Sequence, residues 1–424
     1  MLNVYVDKQR AGSLFKPESE PSKYHFGYNE QCPQQNAVSL SMPVAYEHYV
    51  SDYKSLHPVF DMNLPEGALA DRLRKQFSKV IPNFDALALL KVVGQSQIGR
   101  LRFGLPGEGA ADVPSEDLNE LLAHDGAEGL FESLLVRYAV HSGVSGAMPK
   151  VMVRDTKRDT KHDTRNSIKL DVKQVGESSR VTHRGATHIV KAWTEEFPRL
   201  AENEYFCMRA AVHAKLGAAQ VELSKAGKFL VVERFDLQNG VYRGFEDFCV
   251  LNGRTASQKY DGSYEGITKR IKDFVSPEQV RPALESFFKV LALSCAIKNG
   301  DAHLKNFGVV YDNTESTVSL SPVYDLVTTT VYNAGDVLAL TLGGTKRWPA
   351  AKALLNFGRT HCNITAERAR QLLADVATGV LRAMHELNSY LRAHPQFREV
   401  GMAMLAEWEK GLRLSVQVEE KPEI

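Results

Sequence analysis

Apolar and polar residues alternate at the start of the chain, and this pattern predicts β-strands. Every second residue is apolar from residue 2 to residue 6, and a polar turn at residues 9–12 precedes another extended run. Residues 60–77 begin with a turn and then place apolar side chains four positions apart, which predicts a helix. We therefore expect residues 1–105 to form a small N-terminal subdomain that is mostly β.

Two polar segments interrupt the apolar pattern. Residues 104–114 are rich in Gly, Pro and acidic residues, which suits a domain boundary. Residues 154–165 repeat a polar unit related to Arg-Asp-Thr-Lys, and their mixed charges and lack of apolar side chains favour a solvated loop or disorder. A nucleic-acid contact is the alternative, and the aspartates of the repeat weigh against it because they dilute the positive charge.

The rest of the chain changes from mixed to helical patterns. A β-like run at residues 187–193 precedes a helical pattern at 200–216 and a second β-like run at 228–235. From about residue 278 onward, apolar stripes at helical spacing dominate. The predicted fold is therefore α+β, with three parts: the N-terminal subdomain at 1–105, a mixed lobe at 106–236 and a helical lobe at 237–424.

Composition narrows the function only slightly. Hydrophobic residues make up 43% and charged residues 24%, and a net charge of +1 gives no case for a polyanion partner bound through bulk electrostatics. The five cysteines are widely spaced without a CxxC pair, so neither a zinc site nor a disulfide framework is indicated. The charged start of the chain and the lack of a run of ~20 apolar residues predict a cytoplasmic protein without a membrane partner.

The strongest chemical motif is Asn299-Gly-Asp-Ala-His-Leu-Lys-Asn306, which directly follows an apolar helical pattern. Asn-Gly favours a turn, so Asp301 and Asn306 should lie on a loop at the end of a buried helix. They are five positions apart, the spacing of the base and the metal-binding amide in the catalytic loop of protein kinases. A plain surface turn has the same composition and remains the alternative.

A hairpin downstream of this loop predicts a third polar group at the same place. Extended residues on either side of a polar turn at 312–316 should return the chain to the loop and bring Asp325 with it. A carboxylate there would complete a magnesium site with Asn306. The alternative is an aspartate that only stabilises a turn.

Lys191 and Glu204 are charged residues on faces that are otherwise apolar. Lys191 shares a strand face with Ile189 and Trp193, and Glu204 shares a helix face with apolar side chains. Two opposite charges on buried faces are most simply explained by an ion pair, such as the lysine–glutamate pair that positions ATP phosphates in kinases. A purely structural ion pair is the alternative.

Two further segments are weaker candidates for contacts with a nucleotide. Residues 143–150 form a glycine-containing turn whose backbone amides and Lys150 could hold phosphates, although an ordinary loop fits equally well. Residues 233–236, Glu-Arg-Phe-Asp, end a predicted strand where the two lobes should join, so their backbone could hydrogen-bond an adenine ring. A plain strand end is the alternative.

In this order, the motifs resemble the HipA family of bacterial toxin kinases. The resemblance covers nearly the whole chain and rests on SGAMPK at 145–150, Lys191, NEY at 203–205, ERFD at 233–236, ED at 246–247, KY at 259–260, NGDAHLKNF at 299–307 and PVYD at 322–325. Residues 60–74, which contain LPEGALADRLR, are similar to the N-terminal subdomain of that family. The resemblance implies a bilobal fold like that of protein kinases.

The resemblance also implies a role for each matching residue. Asp301 would accept the proton of the substrate hydroxyl, Asn306 and Asp325 would hold Mg²⁺, and Lys191 would contact ATP with Glu204 as its partner. The other residues implied to contact ATP are Ser145, Gly146, Ala147, Met148, Pro149 and Lys150 in the phosphate loop, Glu233, Arg234 and Phe235 in the hinge, and His303, Leu304 and Lys305 beside Asn306.

Members of the family phosphorylate serine on proteins, in known cases aminoacyl-tRNA synthetases, which stops growth. They usually pair with a helix-turn-helix antitoxin, so DNA would be contacted only indirectly.

Two departures from the family pattern bear on regulation. Met148 stands where many relatives have glutamine, and Gly143 stands where relatives often have an autophosphorylated serine. The neighbours Ser142 and Ser145 are then the candidates for autophosphorylation.

Two other classes of function compete with a kinase. A kinase-like fold could bind an antitoxin and help it repress an operon without phosphorylating anything, but the complete set of Lys191, Asp301, Asn306 and Asp325 argues against this. A metal-dependent phosphohydrolase using Asp301 and His303 lacks the second His and Asp cluster that such sites need.

Overall fold

A computed structural model of the chain describes residues 1–51, 55–81, 84–105, 112–124, 129–146, 148–156 and 185–417. Most of the polar repeat predicted to be a loop, from residue 157 onward, lies outside the described residues, as does most of the predicted boundary segment. The helices are α1 (Pro58–Asp61), α2 (Gly67–Phe77), α3 (Ala86–Val93), α4 (Leu118–Ala123), α5 (Leu130–Tyr138), α6 (Leu200–His213), α7 (Phe248–Leu251), α8 (Tyr264–Phe274), α9 (Pro277–Ala296), α10 (Ala351–Thr360), α11 (Ala366–Ala393) and α12 (Arg398–Gly411).

A five-stranded antiparallel sheet forms the centre of the N-terminal subdomain. Its strands are β1 (Leu2–Val6), β2 (Gln9–Phe15), β3 (Tyr24–Tyr28), β4 (Tyr49–Ser51) and β5 (Leu101–Gly104), in the order β4-β3-β2-β1-β5. Leu2, Val4 and Val6 are buried, as their alternation predicts. The predicted helix is α2, which buries Leu69 and Leu73.

A second five-stranded sheet forms the mixed lobe. Its strands are β6 (Ser115–Glu116), β7 (Lys150–Asp155), β8 (His188–Ala192), β9 (Val221–Leu223) and β10 (Phe229–Glu233), in the order β6-β7-β8-β10-β9. Only the short contact between β6 and β7 is parallel. Helix α6 packs against this sheet and ends at His213, one turn before the glycine that the sequence suggests as its end.

The C-terminal part of the chain is helical, as predicted. Helix α9 is buried over its second half, since every residue from Phe287 to Ala296 is buried. It packs against α11, which in turn packs against α6. Two small antiparallel sheets accompany the helices: β11 (Leu237–Gln238) with β12 (Val241–Tyr242), and β13 (Gly244–Asp247) with β14 (Gly308–Tyr311) and β15 (Ser319–Leu320). The α+β prediction is confirmed.

The N-terminal subdomain and the mixed lobe share one hydrophobic core. Leu90 and Val93 of α3, Val151 of β7 and Val190 of β8 belong to the same buried cluster. The helical lobe has a second core, to which α6 also contributes. The described residues include no helix that is long and apolar enough to cross a membrane.

Buried charges attach the N-terminal subdomain to the other parts. The Glu246 carboxylate accepts hydrogen bonds from Ser39 Oγ at 2.5 Å and from the backbone of Leu40 at 2.8 Å. Asp236, paired with Arg234, accepts a hydrogen bond from the Gly99 backbone at 2.7 Å. Because both carboxylates are buried, these hydrogen bonds bind the subdomain firmly to the rest of the molecule.

Candidate active site

Lys191 connects the mixed lobe to the helical lobe. Its Nζ lies 2.6 Å from Oε1 of Glu204 on α6 and 2.5 Å from Oδ1 of Asp325 in the helical lobe. The ion pair with Glu204 that the sequence predicts is therefore present. The contact with Asp325 places the end of the predicted hairpin in the same cluster.

The strand register explains why this cluster carries two lysines. Lys150 of β7 lies directly opposite Lys191 of β8 in the antiparallel ladder, and both side chains are largely buried. Although burial alone would lower the pKa of Lys191, the carboxylates of Asp325 and Glu204 raise it well above its usual value. Burial and the charge of Lys191 lower the pKa of Lys150. Lys191 is therefore the cation that the carboxylates hold.

Asp325 has an unusual backbone that turns its side chain into the cluster. Its φ of 59° is in the left-handed region, where Asp is one of the few residues found besides glycine. Burial would raise the pKa of Asp325, but Lys191 and Lys150 outweigh that effect and hold it far below its usual value. The Nδ2 of Asn306 lies 3.3 Å from Asp325 Oδ2. The two predicted metal ligands are therefore neighbours.

The segment after Asp325 is anchored to the helix that carries Glu204. Asn203 Nδ2 donates to the Thr328 carbonyl at 3.0 Å, and the Thr328 backbone N–H donates to Asn203 Oδ1 at 2.8 Å. Trp408 of α12 donates to the hydroxyl of Thr328 at 2.7 Å. This buried network fixes the distance between Glu204 and Asp325, and Asn203 is a residue whose role the sequence did not reveal.

Asp301 lies on the loop after α9, as predicted, with 43% of its side chain exposed. Its Oδ1 accepts a hydrogen bond from the hydroxyl of Tyr260 at 2.6 Å and lies 3.8 Å from Nε2 of His303. Desolvation and the nearby Asp325 charge raise the pKa of Asp301 to about 6, although the Tyr260 hydrogen bond opposes them. A carboxylate with this pKa is poised to accept a proton near neutral pH.

His303 is a buried and neutral neighbour of Asp301. Only 6% of the residue is exposed, and burial lowers its pKa to about 3. Its ring packs edge-on against the Tyr260 ring, with centroids 5.0 Å apart. Nδ1 of His303 has no hydrogen-bond partner among the described residues. A buried polar atom without a partner is a candidate contact for a ligand.

The predicted phosphate loop is held by contacts with both lobes. Lys150 Nζ donates to the Ser145 carbonyl at 3.1 Å, and Lys305 Nζ donates to Ser145 Oγ at 2.5 Å. Gly146 has a φ of 117°, a backbone conformation that strains residues other than glycine. Met148 and Pro149 are half-buried in the loop, and Ala147 lies outside the described residues.

The structure argues against Ser142 as an autophosphorylation site. Its hydroxyl is fully buried, donates to the Tyr138 carbonyl at 2.7 Å and accepts from the Met152 backbone at 2.8 Å. Phosphorylation would break both hydrogen bonds and place a dianion in the core. Gly143, which replaces the serine of relatives, bonds to the Ser96 carbonyl of the N-terminal subdomain at 2.9 Å. Ser145 is the remaining candidate.

Two of the predicted nucleotide contacts have side chains with structural roles. Arg234 is buried, with Nη2 2.5 Å from Asp236 Oδ2 and 2.9 Å from the Gln97 carbonyl. Leu304 is buried in the core of the helical lobe. These two residues can contact a ligand only through their backbone. Phe235 stacks on Tyr324 with ring centroids 5.5 Å apart. Glu233 is the last residue of β10 and lies two positions before Phe235.

Comparison with models of protein families shows which family the chain belongs to. The model of the HipA-like C-terminal domain matches residues 142–384, and that of the HipA N-terminal domain matches residues 2–104. The first match covers more than half of the chain. The chain belongs to the HipA family.

Curated relatives of this HipA-family chain include two proteins of Sinorhizobium fredii. The protein named Putative kinase Y4mE is 34% identical over 161 residues, which are 36% of this chain and 38% of the relative. Putative kinase Y4dM is 29% identical over 227 residues, 50% of this chain and 54% of the relative. The chain thus spans between about a third and about half the length of the curated relatives it matches.

The fold of this HipA-family chain is similar to that of a solved HipA. The Shewanella oneidensis MR-1 HipA, solved in complex with HipB and its operator DNA, superposes with a TM-score of 0.67 at 18% identity. The similarity covers 97% of each chain and concerns the fold. It agrees with the bilobal arrangement that the motifs predict.

Residues of the HipA-family chain fit the groups that a kinase needs. Asn306 and Asp325 each carry a side-chain oxygen, the ligand type that Mg²⁺ prefers, and Asp325 is ionised. In this structure the amide nitrogen of Asn306 faces Asp325, and its amide oxygen accepts from the His303 backbone. Lys150 and Lys191 supply positive charge beside them, and His303 supplies a buried polar atom without a partner among the described residues. Within those residues no three His, Cys, Asp or Glu side chains form a metal-binding group by themselves.

Proposed function

We propose that this HipA-family chain is an ATP- and magnesium-dependent protein kinase that phosphorylates a serine or threonine of a cellular protein and thereby inhibits growth. The observation that carries the proposal is the double contact of Lys191 with Glu204 and Asp325. It joins both lobes at one cation, next to the Asn306 amide and near the loop of Asp301. Such an arrangement serves phosphoryl transfer, in which positioning and charge do most of the work.

Each residue has a defined task in this proposal. Asp301 accepts the proton of the incoming hydroxyl, and its raised pKa suits that task near neutral pH. Lys191 and Lys150 bind phosphate oxygens, and the hydrogen bond to Glu204 holds Lys191 in place. A Mg²⁺ ion held by Asn306 and Asp325 would neutralise phosphate charge when it is bound.

The solved relative supports a proposal about partners. The Shewanella HipA was solved with HipB and operator DNA. We propose that this chain likewise pairs with a helix-turn-helix antitoxin, which contacts DNA in its place. For the substrate we propose an aminoacyl-tRNA synthetase, on the strength of the family resemblance alone.

A comparison of growth and phosphoproteomes tests this function. Cells that express the wild-type chain without an antitoxin should stop growing and gain phosphoserine or phosphothreonine on one or a few proteins. Cells that express Lys191→Ala at the same level should grow and lack those phosphorylated sites. Equal growth inhibition by both chains would instead favour a binding module that acts without phosphorylation.

A further inference from the structure

Glu66 is an acidic residue of the N-terminal subdomain that lies among cations of the candidate active site. It directly precedes α2, and its Oε1 lies 3.4 Å from Lys305 Nζ and accepts the hydrogen bond of the Ser145 hydroxyl. Its Oε2 lies 3.6 Å from Lys259 Nζ. The Glu66 carboxylate thus contacts Ser145 of the predicted phosphate loop, Lys305 of the Asp301 loop and Lys259. Lys259 directly precedes Tyr260, which donates a hydrogen bond to Asp301.

The burial and charge of Glu66 suit it to bind the lysines and the serine hydroxyl that it contacts. The side chain of Glu66 is only 28% exposed. Burial would raise its pKa, but Lys305, Ser145 and Lys259 together lower it below the usual value. Glu66 is therefore an anion at neutral pH, and its single negative charge partly offsets the positive charges of Lys259 and Lys305.

Neighbouring contacts hold Glu66 in this position. Lys305 Nζ also donates to the Met62 carbonyl at 2.9 Å, and the Ala256 backbone donates to the Asp61 carboxylate at 2.8 Å. Gly67, the next residue, has a φ of 52° that favours glycine and turns the chain into α2. The segment before Glu66 is thus attached to the helical lobe at Asp61 and Met62.

Carboxylates and phosphates are alternative ligands of the same ammonium and hydroxyl groups. This step rests on the kinase function proposed above, for which the family resemblance implies that Ser145 and Lys305 contact ATP. A phosphate that approached them would meet the charge of Glu66, and two anions repel each other in a half-buried site. We infer that Glu66 competes with the phosphate groups of a nucleotide, so that nucleotide binding must displace a side chain of the N-terminal subdomain.

Nucleotide affinity of the full-length protein tests the inference. Calorimetric titrations with ATP and with ADP, both with Mg²⁺, compare the wild type with Glu66→Gln and Glu66→Ala. Each variant should bind at least one nucleotide about tenfold more tightly, because the freed lysines lack an anion. A gain for ATP alone indicates competition with the terminal phosphate, and a gain for both indicates the inner phosphates. Asp71→Asn, at an exposed acidic residue of the same subdomain, is the control and should bind like the wild type.

Unchanged or weaker binding in the folded Glu66 variants would overturn the inference, as would a lack of binding in all proteins. Transfer of labelled phosphate, measured on the same samples, separates this result from the proposed function. Phosphate transfer without a gain in affinity would support the kinase function and contradict the competition by Glu66. A gain in affinity without phosphate transfer would support the competition by Glu66 and contradict the kinase function.

Discussion

Lys150 and Lys191 lie directly opposite each other on two antiparallel strands of the mixed lobe. Like charges at such positions destabilise a sheet, and burial increases the effect. Asp325 and Glu204 make the arrangement possible, because both carboxylates bind Lys191. Two lysines in one buried cluster have a clear use in a site that receives the phosphates of ATP.

The two lysines should therefore differ in their effect on stability. Lys191→Met leaves two carboxylates without their cation, so we expect the free energy of unfolding to fall by roughly 3 kcal/mol. Lys150→Met removes the like charge and one hydrogen bond, and we expect a change within about 1 kcal/mol. Denaturant unfolding of both variants measures the difference. Equal destabilisation would mean that Lys191 is not the cation that the carboxylates hold.

We predict that the pKa of Asp301 sets the pH dependence of phosphoryl transfer. The base acts only when it is deprotonated, so kcat/KM should be constant above pH 7 and fall as the pH drops through about 6. Below that point we expect a decrease of about tenfold per pH unit. Initial rates between about pH 5 and 8 measure this profile. Circular dichroism across the same range is the control for folding, and a flat profile would argue against Asp301 as the base.

Tyr260 should tune this profile. Its hydroxyl donates to Asp301 and lowers the pKa of that carboxyl. Tyr260→Phe removes the hydrogen bond and keeps the ring that packs on His303, so the acid limb should move to higher pH by roughly half a unit or more. Tyr46→Phe, at a fully exposed tyrosine, is the matched control and should leave the profile in place. A profile that does not move in Tyr260→Phe would mean that Tyr260 does not act on the base.

Much of this site could be predicted because its signals are local. The spacing of Asp301 and Asn306, the hairpin before Asp325 and the charges of Lys191 and Glu204 on apolar faces are each visible within short segments. Glu66 and Tyr260 lie in segments that carry the family resemblance, but no local pattern indicated what either side chain contacts. Each acts on a residue far away in the sequence, and an acidic residue before a helix or a tyrosine in a loop is common in any protein.

In the fold, too, local features could be predicted from the sequence and long-range contacts could not. Alternation and helical spacing correctly predicted the main strands and helices, because periodicity reflects which face is buried. They could not predict that the N-terminal subdomain shares a core with the mixed lobe. That packing depends on distant buried groups such as Arg234 and Asp236, whose sequence pattern suggested a nucleotide contact.

The buried pair of Arg234 and Asp236 should contribute strongly to stability. Asp236→Asn leaves the Arg234 guanidinium without its anion in the interior, so the free energy of unfolding should fall by roughly 3 kcal/mol. Denaturant unfolding measures this change. Asp273→Asn breaks the exposed pair with Arg270 and is the control, with an expected loss below about 1 kcal/mol. Similar losses in the two variants would contradict the structural role of the pair.

Transfer of labelled phosphate from ATP to protein, with wild type and Asp301→Asn side by side, tests the central claim most directly. Asparagine has nearly the same shape as aspartate but cannot accept the proton, so the variant should fold and bind ATP like the wild type. We expect its transfer rate to be lower by about 10²- to 10⁴-fold. Transfer at the wild-type rate in Asp301→Asn would contradict the account.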